Sequence, residues 1–185
     1  MKPTEELKTE HRAIERMLRV LEGVSDRLES GEAVDPTHLA QAVEFIQVFA
    51  DRCHHGKEED LLFVAMEEAG IPVEGGPIGV MLTEHVIGRE YVGTMNRAAR
   101  QYAAGDARAA EAFAAAARGY VELLRQHIGK EDNILYPMAD RALSQAKQDE
   151  LLEEFEVIEQ ERVGPGRHEA FHSLLDELER TYVAG

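Results

Sequence analysis

The sequence predicts an all-α protein: an antiparallel up-down-up-down four-helix bundle with two additional C-terminal helices. Three observations carry this. The 185-residue chain has six prolines and no tryptophan and is rich in Ala, Leu and Glu, a composition that favours helix. Apolar residues recur three and four positions apart, as on a helix that buries one face. The first four such stretches are joined mostly by short connections, which makes consecutive helices antiparallel neighbours.

The first stripe is Leu7, His11, Ile14, Leu18, Leu21 and Leu28, and Ser30-Gly31 ends it. Asp35-Pro36 opens the next helix, a cap followed by proline in the first turn. Its stripe runs Leu39, Val43, Ile46, Ala50, His54, Glu58, Leu61 and Ala65, before a Gly70–Gly76 loop containing Pro72. The third stripe is Ile78, Met81, His85, Gly88, Val92, Met95 and Ala99, closed by a turn at Gly105-Asp106. The fourth is Phe113, Ala117, Tyr120, Leu124, His127, Glu131, Leu135 and Met138. These stretches make residues 1–143 the bundle. Residues 144–185 form a helical extension broken at Gly164-Pro165-Gly166. Leu151, Phe155 and Ile158, then Phe171, Leu175, Leu178 and Tyr182, give each of its helices an apolar side that packs on the bundle.

The net charge is −16, from 20 Lys+Arg against 36 Asp+Glu. Such a surface repels nucleic acid and anionic membranes, so neither is an expected partner. No apolar run approaches the roughly 20 residues of a membrane span, and MKPTEELKTEH lacks the apolar segment of a signal peptide. The lone cysteine rules out an internal disulfide framework. The expected location is cytoplasmic.

An internal echo sets the register. TEHRAIERML resembles TEHVIGREYV 74 residues on, and HHGKEEDLLFV resembles HIGKEDNILYP 73 residues on. Superposed, the halves pair His11 with His85, His54 with His127 and Glu58 with Glu131. His55 falls on Ile128, and Glu59 on Asp132. The symmetric unit is therefore H-x-x-x-E, used twice, with both side chains one turn apart on one face. The competing register, His55 with Glu59, has no counterpart in the fourth helix. His55 is then expected behind the ligands or along an entry path.

One histidine on an apolar stripe is ordinarily a satisfied core residue, and one H-x-x-x-E arises easily by chance. Here four core stripes each carry a histidine and two add a glutamate. Four imidazoles and two carboxylates in a bundle interior would need extensive compensation without a metal. The expected metal ligands are His11, His54, Glu58, His85, His127 and Glu131. Two ions sharing two carboxylates, with two imidazoles each and a bridging oxygen, suit octahedral iron. Zinc prefers four ligands, and calcium or magnesium prefers oxygen; manganese or zinc remain alternative occupants.

These residues resemble the hemerythrin-like, or HHE cation-binding, family, whose pattern is a histidine before each of two H-x-x-x-E motifs. The resemblance covers roughly residues 4–140. It implies a non-heme di-iron centre, oxo- or hydroxo-bridged, with bridging glutamates and terminal histidines. Oxygen-carrying hemerythrins have a further histidine one turn from the third-helix histidine; Met81 and Arg89 stand there, and Glu15 at the symmetric place. The resemblance thus implies a six-residue set distinct from that of the carriers. The function it implies is binding of, or reaction with, oxygen, nitric oxide or peroxide, as a sensor or in stress response. A di-iron enzyme consuming peroxide or oxygen is the alternative, as is an iron-handling or structural metal protein.

Other residues have simpler readings. Glu15 is expected to be solvated rather than a seventh ligand. Arg89 fits a surface ion pair as well as a contact to a bridging carboxylate. Tyr120 reads as core filler and Cys53 as a buried small residue. His38 is expected to be exposed. His168 and His172 have zinc-binding spacing, but nothing nearby in sequence completes a site.

Overall fold

The computed structural model describes residues 1–183, which form six helices and no strand. Helix α1 spans Pro3–Glu29. Helix α2 runs over 36–68, with Ile46–His55 and Glu58–Leu62 wound as wider π-helical turns. Helix α3 spans Pro77–Ala103. Helix α4 runs over 109–142, with a π-helical turn at Glu131–Leu135. Helices α5 (Gln145–Arg162) and α6 (Arg167–Tyr182) complete the chain.

Local chemistry fixes the ends. The Asp35 carboxylate accepts the Thr37 N–H ahead of Pro36, and Ser144 caps α5 by accepting the Lys147 N–H. Gly31 (φ +79°) and Gly105 (φ +95°) follow α1 and α3 in the left-handed region that favours glycine.

Helix α4 packs against both α1 and α3, and α2 packs against α3 and, through its π-helical part, against α1. Helix α6 lies on α1 and the start of α2, while α5 lies on α1 and the middle of α2. Buried apolar residues form two clusters. The larger includes Ile14, Ala50, Val92 and Leu124 and takes in Phe171, Leu175 and Leu178 of α6. The smaller includes Leu7, Leu62, Met81 and Leu135, with Phe155 of α5.

Between the two lies a polar layer. Along α1 the order is smaller cluster, His11, larger cluster; along α2 it is larger cluster, His54 to Glu58, smaller cluster. Helix α3 repeats the order of α1, and α4 that of α2. Apolar packing above and below therefore clamps the polar layer at one level.

Candidate metal centre

Seven buried residues converge in that layer, and their potential ligand atoms form two groups, each within 4.8 Å. One is His11, His54, Glu58 and Glu131; the other is His55, Glu58, His85 and His127. The Glu58 carboxylate belongs to both. Glu131 also reaches across: its Oε2 lies 3.0 Å from His11 Nε2 and its Oε1 3.0 Å from His127 Nε2.

All five imidazoles are held the same way, by a carboxylate on Nδ1. Asp132 holds His11, Glu10 holds His54 and Glu59 holds His85, each at 2.7 Å. Asp51 holds His55 at 3.2 Å and Glu84 holds His127 at 3.4 Å. Every Nε2 is thereby left for the centre, the orientation that a carboxylate behind a ligating histidine imposes. Behind each carboxylate stands a cation. Arg12 pairs with Asp132, Lys57 with Glu10, Lys130 with Glu84, and Arg89 with both Asp51 and Glu59. The acidic cluster Glu6, Glu10 and Glu159 surrounds the Lys57 ammonium, which answers its charge without a metal.

The inner atoms are not satisfied by the protein. His54 Nε2, His55 Nε2 and Glu58 Oε2 are buried without a hydrogen-bond partner, and neither Glu131 oxygen has one in bonding geometry. Burying such groups unpaired is costly. Five imidazole nitrogens aimed at two carboxylates, with these atoms orphaned, fit a pair of divalent or trivalent cations.

The electrostatics agree. Burial opposes charge on His11, but Asp132 and Glu131 outweigh it and raise the imidazole to about 9. Burial of His127 is likewise overcome by Glu131 and Glu84, which raise it to about 10. Burial and the neighbouring His85 instead push His55 well down, so it stays neutral. Burial of Glu58 is overcome by His54 and His85, which hold the carboxyl down at about 2. In the metal-free centre, protonated imidazoles carry the positive charge that the carboxylates require.

The structure brings together all six residues expected from the sequence. His55, expected behind the ligands or along an entry path, lies among the potential ligand groups and also lines the cavity beside them. His54 and His55 are both buried where α2 is wound with i to i+5 hydrogen bonds. An extra imidazole thus comes from α2 rather than from α3, where Met81 lies in the smaller apolar cluster.

Tyr136 and the supporting acids and lysines were not read from the sequence pattern. The Tyr136 hydroxyl donates to Glu58 Oε1 at 2.6 Å and lies 3.3 Å from His11 Nε2. The supporting acids Glu10 and Glu84 precede His11 and His85 at matching repeat positions, as Lys57 and Lys130 precede the two glutamates; that echo was the available signal.

The remaining candidates fall elsewhere. Glu15 pairs with Arg12. Arg89 grips outer carboxylates, and Tyr120 lines a cavity beside the centre. Burial pushes the Cys53 thiol up to about 12. His168 and His172 face each other at 3.1 Å on the outer side of α6, outside the potential ligand groups. His38 is half-buried rather than exposed, because its Nδ1 bonds the Tyr182 hydroxyl at 2.7 Å across to α6.

Fold and centre together define a helical protein with a buried histidine–glutamate cation site. Residues 2–139 match the Hemerythrin HHE cation binding domain, and the chain belongs to that family. Uncharacterized proteins of Mycobacterium bovis and of two strains of Mycobacterium tuberculosis are each 25% identical to it over 174 residues. The alignment covers 94% of this chain and 66% of each relative, so the chain spans slightly less than two-thirds of their length. No solved structure matches.

Proposed function

We propose that this protein is a non-heme di-iron protein that binds or reacts with oxygen, nitric oxide or peroxide. The observation that carries the reading is the set of five imidazoles, each fixed by a carboxylate on Nδ1, around Glu58 and Glu131. His11 and His54 would hold one ion, His55, His85 and His127 the other, with the two glutamates between them. Two iron ions, when bound, supply a change of oxidation state and open positions for a small ligand.

The chain's own part is to position and to insulate. The outer carboxylates fix the imidazole tautomers and strengthen them as donors. Apolar clusters on both sides exclude water and lower the local dielectric. The alternating order of the clusters along α1 to α4 supports an up-down-up-down bundle, with residues 1–143 as its unit and 144–185 as an extension on it. A cavity reaching the centre favours binding or turnover of a small molecule over a sealed structural ion. No helix among the described residues is long and apolar enough to cross a membrane, in keeping with the cytoplasmic location we assign.

The test is metal analysis after anaerobic iron reconstitution, with optical spectra on exposure to air, peroxide and nitric oxide. The expected result is about two irons per chain, from the two ligand groups, and a spectrum that responds to at least one of the three. One tightly bound zinc with no iron uptake would overturn it.

A further inference from the structure

We infer that the outer side of α6 holds a separate, solvent-facing site for one divalent copper, nickel or zinc ion, ligated by His168 and His172, with Glu159 as its positioning residue. The site stands whichever metal fills the buried centre. The two histidines are one turn apart on one helical face, and their Nε2 atoms face each other at 3.1 Å. Two nitrogens bound to one ion at roughly 2.0–2.1 Å, at angles between a right angle and tetrahedral, stand roughly 2.9–3.4 Å apart. His85 Nε2 and His127 Nε2 in the buried centre have the same 3.1 Å separation.

Packing supplies what the spacing alone lacks. Glu159 of α5 meets His168 across the Gly164-Pro165-Gly166 break: its Oε1 lies 3.1 Å from His168 Nδ1, a buried atom. A proton on Nδ1 answers this carboxylate and leaves the Nε2 lone pair for an ion, the same division of the imidazole as in the buried centre. A cation stands behind this carboxylate too, since Glu159 Oε2 lies 3.5 Å from the Lys57 ammonium. The buried Phe49 ring lies against both imidazoles, at centroid distances of 5.5 and 6.4 Å. Rings held in this way lose less freedom when an ion binds. Burial, His168 and Arg16 push His172 below the ordinary histidine value, so its imidazole is neutral at pH 7.

The donor set selects the ion. His172 is exposed, and His168 opens onto a groove lined by Glu156, Glu159 and the Gly164–Gly166 turn, so water fills the coordination positions that the imidazoles leave. Two neutral imidazoles with water favour copper(II) most, then nickel and zinc. Ferrous iron stands low in that order, so iron loading of the buried centre leaves this pair to other metals. In the metal-free pair the His172 Nε2–H donates to His168 Nε2, and the ion takes the place of that proton.

The test is a copper(II) titration of untagged full-length protein, with electron paramagnetic resonance and a count of bound copper. The unmodified protein should hold about one more copper per chain than His172→Ala or His168→Ala. The difference spectrum should show an axial signal split by two imidazole nitrogens. Because the comparison is between variants, copper entering the buried centre cancels. Glu159→Gln should keep the two-nitrogen signal but bind this copper at least about tenfold more weakly, as loss of a carboxylate behind a ligating histidine does. Equal copper binding by the unmodified protein and His172→Ala would overturn the inference, as would loss of the signal in His172→Ala but not in His168→Ala. Unchanged affinity in Glu159→Gln would overturn the role of Glu159.

Discussion

His54 and His55 are neighbours in the chain, yet they face different groups of the centre, and Glu58 one turn on serves both. This division gives the substitutions distinct outcomes. His55→Ala should leave the His11–His54 group intact and reduce metal towards about one ion per chain, whereas Glu58→Ala should empty both groups. Elemental analysis after dialysis separates the two; full loading of His55→Ala would return this imidazole to an entry-path role. The protonation of the metal-free centre makes a second prediction. His11 and His127, raised to about 9 and about 10, hold protons at pH 7, and a metal on Nε2 must displace them. His85 is also raised, by Glu58 and Glu59 against burial, so loading at pH 7 should release about two protons or more, and apparent affinity should climb as pH rises towards 9. Calorimetry in buffers of different ionisation enthalpy reads the number. The same raised values contribute stability to the metal-free fold that is complete below the ordinary histidine value near 6.5 and is lost as pH rises through about 9 to 10.

At the scale of elements, α2 and α4 carry the same H-x-x-x-E device with different winding. Helix α4 reaches His127 as an ordinary α-helix and enters its π-helical turn only at Glu131, whereas α2 is already π-helical through Ile46–His55. Residue 128 of α4 is a buried isoleucine where α2 has His55, so α4 delivers one imidazole and α2 two. Deleting Ala50 should let the stretch rewind as α-helix and turn His54 and His55 off the face they share. Metal content should collapse while far-UV circular dichroism stays close to that of the unmodified protein. Retention of metal by this deletion would show that the winding does not set the register. The end of α2 is independent of this: Asp35 caps its start far from the centre, so cap and site are separate features of one helix.

Across the whole molecule, Lys57 ties the centre to the extension. Its side chain is fully buried; its ammonium bonds Glu10 and Glu6 of α1 and lies 3.5 Å from Glu159 of α5. Because Glu10 in turn holds His54, the packing of α5 is coupled to the aim of one ligand. Lys57→Met would strand the buried Glu10 carboxylate without its cation. It should cost about 3–5 kcal/mol, as removal of one partner from a buried pair does, and weaken metal binding as well. Urea unfolding and metal titration measure the two effects; an unfolding loss below about 1 kcal/mol would mean that water replaces the ammonium.

The sequence by itself determined the helices, most of their ends and six residues of the centre. Each of these is written locally: stripe spacing marks the buried face, Asp35-Pro36 and Gly31 mark ends, and the repeated H-x-x-x-E marks the paired histidines and glutamates of the candidate centre. Tertiary structure decided the rest. That His55 is buried beside His54 is seen only in the packed helix, where α2 departs from α-helical winding. Tyr136 meets Glu58 from another helix, 78 residues away, and no spacing within one helix can encode a contact between two. The carboxylates behind the histidines are surface-type residues in composition, and only packing shows that Glu10 is buried against His54 and Lys57. The asymmetry of the centre arises in the same way: duplication made the two halves alike in sequence, and the few positions where they differ gain their meaning only from what faces them across the bundle.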